Sequence, residues 1–346
     1  MSNSIKLPKT VVLELTYKCN HTCKFCSCPW ENDENSSLFY EKRPELPIGE
    51  WKRALAILEG AGVEIVSISG GEALLRDDID ELLRHIRANT GLNKGKRIVV
   101  ISNGALMSEG ILSLFKETNV HLSLSLPGLS TFRYHTGAVD NSAANVLHWL
   151  GRAREESVRC TVNVTVTKKN FHELYETIAN GLIAGADKVL LNRFLVGGRG
   201  IAYRHELSLS RGQLSDALDI AENVLSVANR SGSVGTEYPI CLINEGGQQY
   251  RRLRVGSLCA AGREFFVVDP SGYIRTCNHS PQRVGHVFDA DIVSDTGYWN
   301  IFAKRAYPLP AMCEGCCYSA SCDCGCREAA AICGGSLSAP DPCFAG

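Results

Sequence analysis

The sequence lacks the features that would direct the protein into a membrane or onto a polyanion. No segment contains the roughly 18 consecutive apolar residues that a membrane-spanning helix needs. The N-terminal segment MSNSIKLPKT has neither the apolar core nor the cleavage site of a signal peptide. The 36 Lys and Arg nearly balance the 37 Asp and Glu, and a net charge of -1 offers no general attraction for nucleic acid. We therefore expect a cytoplasmic protein with no membrane and no nucleic-acid partner.

Cysteine is abundant by contrast, and its distribution is uneven. Of the 16 cysteines, four lie between Cys19 and Cys28 and ten lie from Cys259 onward. The disulfides of a secreted scaffold would be scattered, whereas the ligands of a metal or a cluster lie at short spacings. Free thiols grouped in this way in a reducing cytoplasm indicate metal or iron-sulfur ligation.

The first two thirds of the chain show the pattern of repeated βα units. Short runs rich in β-branched residues alternate with amphipathic stretches from Val11 to about Arg193, which is typical of a parallel sheet. A dinucleotide-binding glycine fingerprint is absent, so we favour a partial (βα)6 TIM-like barrel of the α/β class over a doubly wound sheet. The six predicted strands begin at Val11, Glu64, Arg97, Val120, Arg159 and Asp187. The predicted helices span 49–60, 77–90, 108–118, 141–157 and 171–183, and another begins after the cap Ser210 and ends near Asn229.

The chain changes character after residue 232, where helical periodicity fades and Gly and Cys become frequent. We predict a barrel domain over 1–232 and a small Cys-rich domain over 233–346. Within the second domain, the segment FFVVDPSGYIRTC predicts a hairpin that turns at ProSerGly.

The first cysteine motif, CNHTCKFC, follows the first predicted strand and places Cys19, Cys23 and Cys26 in one loop. The active site of a βα barrel lies at the C-terminal ends of its strands. Three thiolates can hold three irons of a 4Fe-4S cluster and leave the fourth iron open to a small ligand. The motif resembles that of the radical S-adenosylmethionine (SAM) superfamily, and a structural zinc loop is the alternative.

The resemblance extends to the ends of four other strands, and it implies a SAM site there. The segment SGGE resembles the element that binds the amino group of SAM, although Ala73 stands where proline is usual. ISNG and SLSLPG end the third and fourth strands, and in the family these ends face the ribose and carboxylate. An AsnGly turn explains Asn103 equally well, and a surface position is the alternative for Arg193, whose expected role is a forked pair with a carboxylate. The implied SAM-binding residues are Gly70, Gly71, Glu72, Ser102, Asn103, Ser123, Ser125 and Arg193.

The C-terminal cysteines resemble the SPASM extension of radical SAM enzymes, which binds two auxiliary iron-sulfur clusters. The resemblance implies that Cys259, Cys277 and Cys326 hold the nearer cluster. Its fourth ligand stays open, because Cys241 could complete the set or substrate could bind there. The remaining thiols Cys28, Cys160, Cys317, Cys324 and Cys333 are expected to be bystanders, and a zinc ribbon is the alternative for the whole tail. The ligands implied for the farther cluster are Cys313, Cys316, Cys322 and Cys343.

The combined resemblance implies a peptide-modifying enzyme. SAM bound to the first cluster would be cleaved to a 5'-deoxyadenosyl radical, which takes hydrogen from a ribosomally made precursor peptide. The tail favours a maturase that forms a carbon-carbon or cyclophane cross-link, of the type that includes the pyrroloquinoline-quinone maturase. A sulfatase activator and a thioether-forming or epimerising enzyme are alternatives within the superfamily. An iron-sulfur electron carrier and a zinc-stabilised interaction module are the alternatives outside it.

The resemblance also implies two kinds of protein partner. A flavodoxin or ferredoxin would donate electrons. The first strand begins at Val11, so we expect a peptide leader to dock on the barrel, on the Cys-rich domain or on a separate recognition protein.

Overall fold

The fold was analysed in a computed structural model, which describes residues 5–32, 39–89, 97–243 and 250–344. Among these residues, no helix combines the length and apolarity that crossing a membrane would require.

Six parallel strands form the central part of the sheet, and each pairs with the next one along the chain. Buried Val, Ile and Leu alternate with less buried residues along β2, β3, β5 and β6, and form short continuous runs in β1 and β4, so the sequence pattern located all six. The α/β parallel-sheet prediction is therefore confirmed. The strands are β1 (Thr10–Glu14), β2 (Ile65–Ser69), β3 (Ile98–Ser102), β4 (Val120–Ser125), β5 (Cys160–Val166) and β6 (Lys188–Arg193).

Helices follow the strands at the predicted places. Ser210 caps its helix as expected, because its Oγ accepts from Gln213 N at 3.2 Å and the Gln213 side chain accepts from Ser210 N at 3.0 Å. The predicted end of the second helix at residue 90 lies outside the described residues. The helices are α1 (Ile48–Gly60), α2 (Ile79–Asn89), α3 (Glu109–Glu117), α4 (Phe132–Thr136), α5 (Ala143–Glu155), α6 (Leu174–Ala184), α7 (Arg204–Leu207), α8 (Arg211–Val227), α9 (Ile240–Ile243), α10 (Thr296–Ala303) and α11 (Arg327–Gly334).

The Cys-rich region extends the same sheet at both sides. The later strands are β7 (Ser231–Val234), β8 (Leu253–Arg254), β9 (Phe265–Val268), β10 (Tyr273–Arg275) and β11 (Arg283–His286). The predicted hairpin is present, since β9 and β10 pair antiparallel, and β9 also pairs parallel with β1. The order is β11-β10-β9-β1-β2-β3-β4-β5-β6-β7-β8. The predicted domain boundary at 232/233 falls inside β7, and one continuous sheet runs through both parts of the chain.

Candidate functional site

One cavity of about 800 Å³ lies at the C-terminal ends of the strands. The three cysteines of the first motif line it, together with residues from the loops after β1, β2, β3 and β6. Three cysteines of the C-terminal region line the same cavity. The structure therefore brings the first predicted ligand set and the nearer predicted auxiliary set to one cavity. The six cysteines are Cys19, Cys23, Cys26, Cys259, Cys277 and Cys326.

The loop that carries the first motif is held by backbone hydrogen bonds. Thr22 N donates to Thr136 O at 2.9 Å, and Lys24 N donates to His135 O at 2.8 Å. Gly200 N, in the loop after β6, donates to Cys26 O at 3.0 Å. The loop is thus held by the segment after β4 and by the segment after β6.

Burial is the main influence on the pKa values of Cys19 and Cys23 in this loop. It raises the pKa of Cys19 to about 11 and raises the pKa of Cys23 further above its ordinary value. The hydrogen bond from Cys28 lowers the pKa of Cys26. Cys28, expected to be a bystander, therefore contacts a predicted cluster ligand and also lines the cavity. A bound metal would be needed to hold Cys19 and Cys23 as thiolates at neutral pH.

Gly70 and Gly71 bring the end of β2 against the cysteine loop. Gly71 N donates to Thr16 O at 2.8 Å, and Glu72 N donates to Lys18 O at 2.8 Å. A Cβ on Gly71 would lie 2.0 Å from Lys18 O, and Gly70 has φ +129°. The motif predicts that these glycines let a ligand approach the backbone closely. The structure adds a second requirement, which is the close approach of two loops of the chain.

Glu72 is a buried carboxylate in the wall of the cavity, at 1 % exposure. Its Oε2 accepts from Asn103 N at 2.8 Å and its Oε1 accepts from Leu74 N at 3.2 Å. Burial raises the pKa of Glu72, while these backbone bonds oppose the increase. A buried carboxylate without a basic side chain in these contacts suits a cationic ligand group.

The ends of β3 and β4 contribute polar groups, but not all of the predicted ones. Ser102 and Asn103 line the cavity, and the Asn103 side chain donates to Asn20 Oδ1 at 2.7 Å while accepting from Ala105 N at 2.9 Å. Ser125 also lines the cavity. Ser123 lies two residues earlier on β4, is 5 % exposed and is not among the residues that line the described cavity.

Arg193 forms the predicted forked pair, but its partner is part of the protein. Its Nη1 and Nη2 donate to the two carboxylate oxygens of Asp341 at 2.9 and 2.6 Å, and its Nε donates to Glu237 O at 3.1 Å. The expectation that Arg193 holds a ligand carboxylate, or lies on the surface, is therefore corrected. The side chain is 3 % exposed, and the buried Asp341 occupies both ends of the fork.

Two buried aspartates organise the auxiliary cysteines. Asp341 accepts from Cys326 N at 2.6 Å and from Cys343 N at 2.8 Å. Asp323 accepts from Cys259 N at 2.6 Å. Asp323 directly follows Cys322, and Asp341 lies two residues before Cys343; each accepts a hydrogen bond from the backbone of a cysteine in the nearer set. These hydrogen bonds connect the two predicted sets.

The farther set lies apart from the cavity. Within the described part of the chain, none of Cys313, Cys316, Cys322 and Cys343 lines it. Burial raises the pKa of Cys241, and the neighbouring Cys322 and Cys313 add to the increase, so Cys241 lies beside the farther set.

Cys324 belongs to the same neighbourhood, although sequence reasoning treated it as a bystander. Burial raises the pKa of Cys324 to about 12, and a hydrogen bond with Cys313 adds to the increase. No three His, Cys, Asp or Glu side chains of the described ranges converge as the ligands of a single metal ion would. Thiolates that hold an iron-sulfur cluster can bind different iron atoms, so they do not need that convergence.

Several cavity residues were missed from the sequence. Asn192 Nδ2 donates to Asn163 Oδ1 at 2.8 Å, which pairs the ends of β6 and β5 in the cavity wall. The alternation of Asn163 with buried valines on β5 was the available signal. His279 and Glu237 also line the cavity. Their sequence context is irregular and carries no comparable signal.

Residues 13–180 match the Radical SAM superfamily. These residues form a radical SAM domain. The chain is accordingly an enzyme that uses SAM to generate a 5'-deoxyadenosyl radical, and its domain implies a 4Fe-4S cluster. Cys19, Cys23 and Cys26 fit that cluster in residue type, spacing and position.

Similar proteins extend beyond the radical SAM domain. The PqqA peptide cyclase of Rhodopseudomonas palustris is 26% identical over 100% of this chain and 89% of its own length. The PqqA peptide cyclase of Xanthomonas campestris pv. campestris is 25% identical over 91% of this chain and 80% of its own length.

Solved structures show the same fold at lower sequence identity. Streptococcus suis SuiB bound to the precursor peptide SuiA has a TM-score of 0.75 at 17% identity, covering 98% of this chain and 76% of that one. The structure of anSMEcpe with bound AdoMet and Cp18Cys peptide has a TM-score of 0.67 at 15% identity, covering 93% and 89%. Both similarities include the Cys-rich region as well as the radical SAM domain.

Proposed function

We propose that this radical SAM enzyme is a peptide maturase that joins two side chains of a ribosomally made precursor peptide through a carbon-carbon bond. The proposal is supported by the similarity to PqqA peptide cyclases over 100% and 91% of this chain. The cross-link removes two hydrogens from the peptide. One leaves as a hydrogen atom to the 5'-deoxyadenosyl radical, and the other leaves as a proton and an electron.

The observation that carries the proposal is the single cavity that reaches both cysteine sets. Its volume of about 800 Å³ leaves room for SAM and for a substrate side chain. A side chain bound there would lie between the radical site and the nearer auxiliary site. The radical can therefore form and the remaining electron can leave within one cavity.

Each part of the cavity wall has a role in this proposal. Cys19, Cys23 and Cys26 hold the cluster that supplies the radical chemistry with SAM. Glu72 binds the ammonium of SAM, because its carboxylate is fixed by two backbone amides. The polar groups of Ser102, Asn103 and Ser125 bind the rest of the nucleotide.

The electron from the substrate passes to the C-terminal region. We assign Cys259, Cys277 and Cys326 to the nearer auxiliary cluster and Cys313, Cys316, Cys322 and Cys343 to the farther one. The carboxylates of Asp323 and Asp341 accept from the backbone N–H groups of Cys259, Cys326 and Cys343 and so connect the two sites. A flavodoxin or ferredoxin serves as the external electron donor.

The test is mass spectrometry of the anaerobically reconstituted full chain with the short peptide encoded beside its gene. We expect a product lighter by two hydrogens, with 5'-deoxyadenosine formed alongside it. Fragmentation should place the loss on two joined residues. An unchanged peptide mass, as epimerisation gives, would overturn cross-linking.

Variants of the first motif test the radical step separately. Replacing Cys19, Cys23 and Cys26 with Ala should abolish 5'-deoxyadenosine formation. The matched control is Cys333→Ala, because Cys333 is exposed and does not line the cavity. Undiminished cleavage of SAM by the triple variant would contradict the cluster assignment.

A further inference from the structure

The nearer auxiliary site has three cysteines, and the part of the chain that the structure describes supplies no fourth cysteine to it. Cys259, Cys277 and Cys326 line the cavity, and the first and last are 6 % and 5 % exposed. The sequence offers Cys241 as the candidate for the fourth position. Its neighbour Ile240 donates its N–H to Cys322 Sγ of the farther set at 3.4 Å, and Cys241 does not line the cavity. A side chain of the cavity wall is therefore the better candidate.

His279 lies in the wall of the same cavity, two residues after Cys277 and 6 % exposed. Its Nε2 lies 2.7 Å from Val196 O. A carbonyl oxygen can only accept, so Nε2 carries the hydrogen and Nδ1 of the neutral ring has an acceptor lone pair. That Nδ1 lies 3.5 Å from Cys326 Sγ, within hydrogen-bond distance of the thiol. A Cys326 thiolate bound to iron has no hydrogen to donate, which leaves the lone pair to a metal.

The position of the ring depends on the loop after β6. A Cβ at Gly197 would lie 2.1 Å from His279 Nε2, so only glycine there allows the ring to approach Val196 O. Histidines that bind metals commonly donate the other ring N–H to a backbone carbonyl, which fixes both tautomer and orientation. His279 has this arrangement, with its unprotonated nitrogen directed at a predicted cluster ligand.

Glu237 is the competing donor, because its carboxylate hydrogen-bonds the Cys259 thiol and lines the cavity. As a fourth ligand it would add another negative charge to a buried site that already holds three thiolates. A neutral imidazole completes the ligand set without that charge, and burial therefore favours histidine.

We propose that His279, through Nδ1, is the fourth protein ligand of the nearer auxiliary iron-sulfur cluster, together with Cys259, Cys277 and Cys326. The proposal rests on the auxiliary clusters of the proposed function. With His279 as the fourth ligand, the substrate cannot bind this cluster directly, and the cluster serves in electron transfer. Replacing cysteine ligands by histidine raises the potential of an iron-sulfur centre, which suits an electron acceptor.

The experiment uses the full chain with Cys19, Cys23 and Cys26 replaced by Ala, which removes the signal of the first cluster. The reduced protein is examined by pulsed electron paramagnetic resonance, with natural and 15N-labelled histidine. We expect a strongly coupled histidine nitrogen that changes with the label and is lost in His279→Ala. The matched control is His286→Ala, because His286 Nε2 also lies 3.0 Å from a carbonyl, Ser271 O, but the ring does not line the cavity.

If His279→Ala loses the whole cluster, the nitrogen signal disappears for that reason alone, so a second variant is needed. His279→Cys should retain the full iron content, lack the nitrogen coupling and show a midpoint potential shifted to lower values. Persistence of the strong coupling in His279→Ala, or its absence from a parent protein that holds both auxiliary clusters, would overturn the ligand assignment alone. A parent protein that binds neither iron nor sulfide would instead overturn the auxiliary part of the proposed function.

Discussion

Glu72 shows how a single side chain is prepared for a charged ligand. Its oxygens accept from backbone amides on two separate loops, so its orientation does not depend on the ligand. Because the carboxylate is buried, water cannot solvate its charge when a ligand contact is lost, and the loss therefore costs free energy. The motif SGGE predicted the residue, because it is local in sequence. The Leu74 amide that helps to orient Glu72 is also local in sequence, whereas the Asn103 amide follows only from the neighbouring position of β2 and β3.

We expect Glu72→Gln to weaken SAM binding by roughly 10–100-fold, since a hydrogen bond to a charged group contributes about 1.5–3 kcal/mol. Gln keeps the size and one acceptor of Glu72 but loses the charge. Titration calorimetry of the anaerobically reconstituted protein measures the affinity. Glu81→Gln on the exposed surface of α2 is the control and should bind SAM normally. Equal affinities would refute the assigned role of Glu72.

The buried carboxyl of Glu72 predicts that SAM affinity depends on pH. Burial raises the pKa of Glu72 above the ordinary value of 4.5, so this carboxyl becomes protonated at a higher pH than an exposed glutamate does. The protonated form no longer attracts an ammonium, and SAM affinity should therefore fall as the pH decreases towards the raised pKa. Glu72→Gln should lose this dependence. A wild-type profile as flat as that of the variant would contradict the prediction.

At the scale of elements, the end of β2 and the cysteine loop are positioned by each other. Gly71→Ala would place a Cβ 2.0 Å from Lys18 O, which is backbone and cannot move without displacing the loop. We expect a destabilisation of about 1–3 kcal/mol and a reduced iron content at the first cluster. Gly49→Ala is the control, because nothing lies within 4 Å of its added Cβ and helix α1 tolerates Ala. Iron content and denaturant unfolding measure both effects, and normal iron binding by Gly71→Ala would exclude the mutual positioning.

The Arg193–Asp341 pair joins β6 to the C-terminal segment. Both side chains are nearly inaccessible, at 3% and 0%. Asp341→Ala should cost about 3–5 kcal/mol of stability, because it leaves a buried guanidinium unpaired. The double replacement Arg193→Met with Asp341→Leu should recover part of that loss. Arg152→Ala, which removes exposed ion pairs, should have a much smaller effect. Chemical denaturation under anaerobic conditions provides the measurement, and a cost of Asp341→Ala as small as that of Arg152→Ala would exclude a stabilising pair.

At the scale of the whole molecule, local strand patterns could be predicted from the sequence, and contacts between distant parts of the chain could not. The local apolar pattern located six strands, since each strand is a short run rich in buried Val, Ile and Leu. Tertiary packing determines two other contacts. Strand β9 pairs with β1, and Arg193 pairs with Asp341, which lies 148 residues away along the chain. The forked geometry expected of Arg193 was correct in form, but its partner lies too far along the chain to be recognised from a single sequence.

The shared cavity predicts that the two halves of the reaction can be uncoupled. Cys277→Ala should retain formation of 5'-deoxyadenosine and lose the cross-linked peptide, because the radical site is intact while the nearer electron acceptor is not. Cys313→Ala and Cys343→Ala should behave in the same way if the farther cluster carries the electron onward. Chromatography of 5'-deoxyadenosine and mass spectrometry of the peptide, from the same reaction, measure both halves. Full product from Cys277→Ala would show that the substrate electron leaves by another route, and loss of both products would show that the nearer site is needed to form the radical.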